Sequence, residues 1–582
     1  MALKTVKLKT EFCVVGGGVA GIHAAITAAR EGVKTVIVQE RPVYGGNASS
    51  EIRMWICGTG NYEYKETGLS EEINLQNYYF NPGKNYNLWG ALLFEKINAE
   101  ENITPLLNCT CFDAQMKDDK IVGITAYQMT TQTLYEIEAD NYADCSGDSI
   151  LAPLTGAKFM YGRESKDEYD EPIKTHEVSD GKTMGNSCLI QARKVNRKVV
   201  FRAPDWAEKV PVEKLKSKNV NLHDPYENFW YIEIGGTDDV IGNAEKYNKR
   251  LLALCLGVWD TIKNSGEFDA DYYDLDFLGF LGAKRESRRM LGDYVMTAND
   301  ILNEVKFPDT VAYGGWPMDD HYPEGFDGEK SNYTISVPTY GIAYRCLYSK
   351  NIGNLFFAGR NISLTHLALS SARVMGTCAT LGQAVGVAAS FCKKYGVSPR
   401  GVSEYMEEMQ QTLLKIDCFL PAVERKVSEL NILANFNGDK VLHNGKDRDL
   451  SGENNCAQVN NGETLSYTFA QPKKIDGVKI VFDSDLLRKT FKGMSVCERE
   501  HSMRGNIDEN CPEMFVPTTL CREYSLCYTD ENGENHLAKY EKKNLKRNVL
   551  LSIDEKVRSV SLTVISNWGN SEKTGVYTFE LF

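Results

Sequence analysis

Histidine is scarce in this chain, eight among 582 residues, and no two are spaced as H-x-x-x-H. Cys109 and Cys111 form a C-x-C, but no second cysteine pair or histidine group has the spacing of a structural zinc site, so no metal is expected. The sixteen cysteines are expected to be reduced thiols in a chain of this size. Positive charge is also short. The formal net charge is −13, whereas nucleic-acid binding needs clustered Lys and Arg, so nucleic acid is not an expected partner. No uninterrupted apolar run of membrane length stands out, because the richest helical regions carry glycine and polar residues. Residues 1–12 lead into a strand pattern without an apolar secretory core. The expectation is a cytoplasmic protein with no membrane partner. No Cys-x-x-x-x-Cys pair follows the first strand–helix unit, which disfavours disulfide reductase chemistry. No second glycine fingerprint appears either, so the electron acceptor or donor is left unknown.

What is present begins at residues 11–40, EFCVVGGGVAGIHAAITAAREGVKTVIVQE. An apolar run at 12–15 breaks into Gly16-Gly17-Gly18-Val19-Ala20-Gly21. An alanine-rich helical pattern then runs to Arg30, and a second apolar run at 35–38 ends in Gln39-Glu40-Arg41. Gly16 permits a tight turn, Gly18 lets the backbone approach a pyrophosphate, and Gly21 lets helix and strand pack closely. Val19 and Ala20 open the helix, whose N-terminal N–H groups and dipole favour phosphate. Glu40 stands at the spacing of an acid that bonds ribose hydroxyls, with Arg41 beside it. The stretch predicts a dinucleotide cradle.

Gly45-Gly46 followed by Asn47, Ala48 and Ser49 is a second point of close backbone approach, and Arg53 follows as a candidate beside cofactor or substrate. Residues 88–100 read as a helix, and 104–109, 120–128 and 133–137 alternate like the strands of a meander that covers one face of a dinucleotide domain. At 142–148 an apolar approach ends in Ser146-Gly147-Asp148, a turn at a strand's carboxyl end, where parallel sheets bind ligands. Asp148 there can bond cofactor, cap the helix expected at 151–157, or do both.

Residues 158–340 are polar, loop-rich and aromatic, with Trp206, Tyr226, Trp230, Tyr231, Tyr272, Tyr273 and Trp316 among them. This fits an inserted substrate domain, since rings with polar tips suit hydroxylated ligands and also build ordinary cores. Lys284, Arg285, Arg288 and Arg289 fall within six positions, either gripping an anion or forming a solvated face around Glu286. In 351–389 a buried strand at 355–358 ends at Gly359-Arg360. A polar loop holding His366 follows, then a helix from about 376 to 389. Gly382 and Gly386 put small residues on one face of that helix for close approach to a neighbour. Its N-terminus, near Arg373, Gly376 and Thr377, would point N–H groups at an electron-rich ligand edge. His366 and Arg373 are the leading catalytic candidates, His366 as proton acceptor near neutrality and Arg373 as anchor for a carbonyl, a carboxylate or flavin charge.

Taken together, G-G-G-x-A-G, G-G-N-A-S-S, C-S-G-D, R-E-S-R-R and F-F-A-G-R…S-x-x-H-x-A-x-S-x-R-V-M-G-T-C-A-x-L-G-Q-A-x-G resemble the bacterial FAD-dependent oxidoreductase family, within the glutathione-reductase-like flavoproteins. The resemblance spans most of residues 8–395. It implies FAD as cofactor, with Gly16, Gly18, Gly21 and Glu40 on the ADP half and Gly46, Asn47, Ser49 and Gly359 near the flavin. The wider superfamily usually carries an acid after the Ala-Gly of the last strand, and here Arg360 stands there. After residue 432 short alternating strands with turn signals read as a β-sandwich, loosely similar to discoidin-like, galactose-binding-fold modules.

The expected fold class is α/β: a Rossmann-like FAD-binding domain (1–157 and 341–431), an inserted α+β substrate or cap domain (158–340), and a C-terminal all-β sandwich (432–582). The expected function is hydride transfer between flavin N5 and a small hydroxylated substrate, a sugar or glycoside being one candidate, with His366 as base. Two alternatives stand beside it: reduction of an activated C=C in a carboxylate substrate, and a flavin-containing carbohydrate-binding or assembly protein without turnover. A homo-oligomer is compatible with all three.

Overall fold

The computed structural model describes residues 3–171, 177–224, 227–488, 503, 505–507 and 513–582; Tyr226 lies outside the described residues. The chain divides into two compact units. One comprises Met1–Gly60, Gly83–Met406 and Gly493–Glu513, the other Asn61–Pro82, Glu407–Lys492 and Met514–Phe582.

The first unit is built on a sheet of six strands in the order β3-β2-β1-β6-β5-β4. These are β1 (Lys4–Val15), β2 (Thr35–Val38), β3 (Ile103–Leu106), β4 (Cys109–Lys117), β5 (Lys120–Gln128) and β6 (Thr133–Asp144). Strand Leu355–Phe357 joins β6 in parallel as the seventh. β1 and β6 run parallel over their whole length, so Val15 is level with Asp144, with Val38 of β2 and, through β6, with Phe357. Four turns therefore leave one carboxyl edge side by side: the glycine turn, Gln39-Glu40, 145–148 and Ala358-Gly359. The expected meander is part of this sheet. The first half of β6 pairs antiparallel with β5, while its second half carries Leu355–Phe357.

Helix α1 (Val19–Arg30) is buried along nearly its whole length. The helix Met375–Tyr395 lies against it, and the two glycines show why. A Cβ on Gly382 would sit 2.2 Å from the Ala20 carbonyl oxygen, and one on Gly386 2.7 Å from that of Ala24. By length and composition Met375–Tyr395 could cross a membrane, a span the sequence reading passed over, but 89% of its most apolar window is buried inside the structure. It is the core helix of this unit.

Within residues 158–340, which belong to the first unit and are not split off as a compact unit of their own, helix Ala244–Asn264 turns Leu251, Leu254, Val258 and Trp259 onto Ile190, Ala192, Tyr231 and Tyr273. Tyr231 and Tyr273 are thus core residues, whereas Trp206 and Tyr272 are exposed. The described cysteines are all free thiols.

The second unit is an antiparallel sandwich whose long strands Thr464–Phe482 and Asn548–Asn567 break register with each other twice. One half of Thr464–Phe482 pairs with Asn435–Phe436 and the other with Lys573–Leu581. Besides Asn61–Pro82, this unit takes in the chain from Glu407, ahead of the expected 432. Buried charges give the reason. Arg425 pairs with Asp447 and Glu580, Arg547 reaches Asp417 at 3.2 Å, and Lys479 donates to the Lys415 carbonyl at 2.8 Å. At a hairpin tip, ligand atoms of Asp530, Glu534 and His536 gather within 4.8 Å of one another, with the Glu534 side exposed.

Candidate active site

At the glycine turn the three glycines answer to different neighbours. Gly16 has φ +106°, and a Cβ there would meet the Cys145 backbone at 2.5 Å. A Cβ on Gly21 would fall 1.9 Å from the Gly16 carbonyl oxygen. A Cβ on Gly18 would meet nothing nearer than Gly46 Cα at 3.9 Å. The protein therefore needs glycine at 16 and 21 for its own packing, while the space over Gly18 stays open. Gln39, between the second strand and Glu40, accepts from the Gly17 N–H at 2.8 Å and fixes the turn. Glu40 is exposed at the end of β2 and lies 3.8 Å from Arg41.

Gly45 (φ +107°) and Gly46 (φ +58°) bring the next loop onto the turn, with a bridge between Gly18 and Gly45. Asn47 donates to the Lys284 carbonyl at 3.1 Å. Gly359 (φ +124°) approaches Ala20, whose Cβ would lie 3.6 Å from a Cβ at 359. Val19, Ala48 and Ala379, with Ile56 and Met375 packed on them, make an apolar surface beside the turn. Ser49 Oγ, Thr377 Oγ1, Asn361 Oδ1 and Arg41 Nε are buried and have no hydrogen-bond partner. Unpaired buried polar atoms are costly, and finding four of them around an open glycine turn fits a polar ligand. Gly376 departs from expectation, since its N–H is taken by the Cys57 carbonyl at 2.7 Å.

Asp148 does not cap the following helix. Asp144 does, accepting from Leu151 N–H at 2.8 Å. Asp148 instead binds Arg360 at 2.6 Å, Lys284 at 2.5 Å and Ser287 at 2.8 Å. Burial alone would raise its carboxyl, but Arg360 and Lys284 outweigh that and hold it well below the usual carboxylate range. Arg360, standing where the superfamily has an acid, thus finds its acid one loop away. Gly147 makes room for it, because a Cβ there would press the guanidinium at 3.1–3.2 Å.

His366 is buried, with Nδ1 on Glu286 at 2.9 Å and Nε2 on Asp320 at 3.0 Å. Burial disfavours the charged ring, yet the two carboxylates prevail and push its pKa up to about 10. A ring that stays protonated at neutral pH, with both nitrogens held by the buried carboxylates of Glu286 and Asp320, cannot serve as the base. The expected role of His366 is corrected to that of a buried cation in a charge chain. Glu286 also holds Arg289 at 3.0 Å. The basic run is therefore neither a solvated face nor one anion grip: Lys284 serves Asp148, Arg285 serves Glu233, and Arg289 is fully buried.

Arg373, by contrast, lies in a cluster the sequence did not announce. His321 Nδ1 meets Glu233 at 2.6 Å and Nε2 meets Asp319 at 3.1 Å. Arg373 Nη2 bonds Asp319 Oδ2 at 3.2 Å and its backbone carbonyl at 3.0 Å, while Arg373 Nε is buried without a partner. Arg285 lies 3.2 Å from Glu233. Strand Met318–His321 builds both groups, since Asp319 and His321 point to one side and Asp320 to the other, toward His366. Arg53, at φ +65°, donates to Gln191 at 2.7 Å and stacks over Phe277 at 4.1 Å. It belongs to neither group.

A family model described as FAD dependent oxidoreductase matches residues 11–413. Among curated proteins nothing matches. Among solved structures, the chain is similar to the OxyS anhydrotetracycline hydroxylase from Streptomyces rimosus, at 10% identity over 70% of this chain and 67% of that one, with a TM-score of 0.33. It is similar also to a geranylgeranyl bacteriochlorophyll reductase-like protein from Thermoplasma acidophilum, at 11% identity over 71% and 88%, TM-score 0.31. A family 32 carbohydrate-binding module of Streptococcus pneumoniae EndoD matches 25% of this chain and 86% of its own, at 15% identity and TM-score 0.17. The residues present fit FAD: Gly18, Glu40 and Arg41 would hold the ADP half, and Gly46, Asn47, Ser49, Gly359 and Thr377 the flavin half.

Proposed function

Since the chain belongs to the FAD dependent oxidoreductase family, we propose that it moves a hydride between a small hydroxylated organic substrate, with a sugar or glycoside as candidate, and N5 of its FAD. Bound FAD supplies the two-electron acceptor and donor for that exchange. The observation that carries the reading is the His321 cluster beside Arg373. Glu233, at 2.6 Å, orients the ring through Nδ1. The Asp319 contact at Nε2 is longer, and Asp319 is the more exposed carboxylate. A substrate hydroxyl taking Asp319's place at Nε2, once that nitrogen has given its proton to the departing Asp319 carboxylate, would find a ring held by Glu233 and able to accept the hydroxyl proton. Arg373 would hold the substrate oxygen, its unpartnered Nε being the donor not yet used.

A second reading draws on the same arginines. Arg285 and Arg373 together suit a carboxylate, which favours reduction of an activated C=C in an acid substrate. The test is anaerobic and stopped-flow. The oxidised enzyme is challenged with sugars, polyols and hydroxy acids, and the dithionite-reduced enzyme with enoates. Bleaching by a polyol or sugar is expected, with His321→Gln keeping its flavin and losing about 100-fold or more in reduction rate. Reoxidation by an enoate, with no bleaching by any alcohol, would overturn the leading reading in favour of the second.

A further inference from the structure

Beside Arg53 lies a cavity of about 340 Å³ that shares no lining residue with the glycine cradle or the His321 cluster. Its size is at the lower end for metabolite sites. Two guanidiniums, Arg53 and Arg193, line it against one carboxylate, Asp276, and Lys84 lines it as well. The carboxylate is shared: Arg193 Nε meets Asp276 at 2.6 Å and Arg53 Nη1 lies 3.6 Å from it. Arg53 spends its other donors on Gln191 at 2.7 Å and the Ser50 carbonyl at 3.3 Å. Among the described residues, Arg53 Nη2 and both Nη groups of Arg193 have no partner. The start of helix Tyr86–Asn98 also lines the cavity, through Asn85 and Asn87.

Arg53 is held in place by its surroundings rather than left to wander. Its backbone takes φ +65°, a conformation a side chain rarely adopts, and the Tyr86 hydroxyl donates to its carbonyl at 2.5 Å. The guanidinium lies 4.1 Å over the Phe277 ring. Two guanidiniums brought together over a single carboxylate repel each other, and a second anion relieves that.

We propose that this cavity is a binding site for a small organic anion, one carrying a carboxylate or phosphate group that bridges Arg53 and Arg193. The proposal is independent of which substrate reacts at the flavin. Calorimetry on the FAD-loaded protein would use inorganic phosphate and malonate as separate probes, with chloride at equal ionic strength as control. Saturable binding of at least one probe is expected. Arg193→Gln, at a half-exposed position, should weaken it at least about 10-fold, and Arg193→Lys should restore part of it. Asp276→Asn should tighten it, because it removes the competing carboxylate; a merely structural role would not produce that opposite sign. Flavin content and melting temperature report whether each variant is folded. Failure of both anions to bind, or unchanged affinity in a folded Arg193→Gln variant, would overturn the proposal.

Discussion

Replacing Gly18 and Gly21 by alanine, one at a time, separates what the glycine turn does for the protein from what it does for the cofactor. At Gly21 the new methyl would sit 1.9 Å from the Gly16 carbonyl oxygen, a backbone atom that cannot rotate aside. Overpacking of this kind costs about 3 kcal/mol, and alanine returns about 1 kcal/mol in helix propensity, for a net loss of about 2 kcal/mol. With an unfolding entropy of about 2.1 cal/mol/K per residue over a unit of roughly 400 residues, the FAD-free protein should melt about 2 °C lower. At Gly18 the backbone is extended, with φ −69° and ψ −178°, and nothing lies within 3.9 Å of the new Cβ. Alanine there should leave the FAD-free protein unchanged, or stabilise it by about 0.4–1 kcal/mol through the unfolded chain. It would, however, block the approach of the pyrophosphate. Loss of one bond to a charged oxygen is worth about 1.5–3 kcal/mol, or about 10- to 150-fold in FAD affinity. Differential scanning fluorimetry of the FAD-free variants and flavin fluorescence quenching give the two numbers. If Gly18→Ala melts as low as Gly21→Ala, or binds FAD as the wild type does, the assignment of the open space to the cofactor is refuted.

Three further outcomes follow from the charge networks. His366 has its pKa raised from 6.5 to about 10 in the fold, so its stabilisation is complete below about pH 6.5, declines as pH rises and is gone above about 10. Relative to His366→Asn, the wild type should therefore lose thermal stability between pH 7 and 10, and parallel curves would contradict the charge chain. Asp148 has a lowered carboxyl pKa, so its contribution is present above its unfolded value and is lost as pH falls through the folded one. Asp148→Asn should destabilise at pH 7 and bring Arg360 into disorder, with a matching fall in FAD affinity by fluorescence titration. Arg425→Met leaves Glu580 buried without its ion-pair partner and Asp447 with Lys479 alone. It should cost about 3–5 kcal/mol, read as earlier denaturant unfolding of the unit that holds the sandwich.

Features carried by local pattern were legible in the sequence. The strand, glycine turn and helix at 11–40 need only contiguous residues, and the spacing of Gly382 and Gly386 announces a close neighbour whatever that neighbour is. Chemistry assembled from distant residues was not legible. His366 looked like a base because a lone histidine near a flavin-facing helix titrates near neutrality, but its partners Glu286 and Asp320 lie 80 and 46 positions away. His321 sits in a loop-rich stretch of sequence and has no motif of its own. Asp319-Asp320-His321 on an alternating strand was the available signal, since period two sends Asp319 and His321 one way and Asp320 the other. The boundary expected at 432 followed a change in composition. The boundary in the fold follows buried ion pairs made by Asp417 and Arg425, which leave no mark on composition.

The most direct test of the account is the flavin content of the purified protein. After reconstitution with FAD and removal of the excess, unfolding should release FAD at close to one molecule per chain, with Gly18→Ala releasing markedly less. A chain that remains colourless after reconstitution and releases no flavin would contradict it.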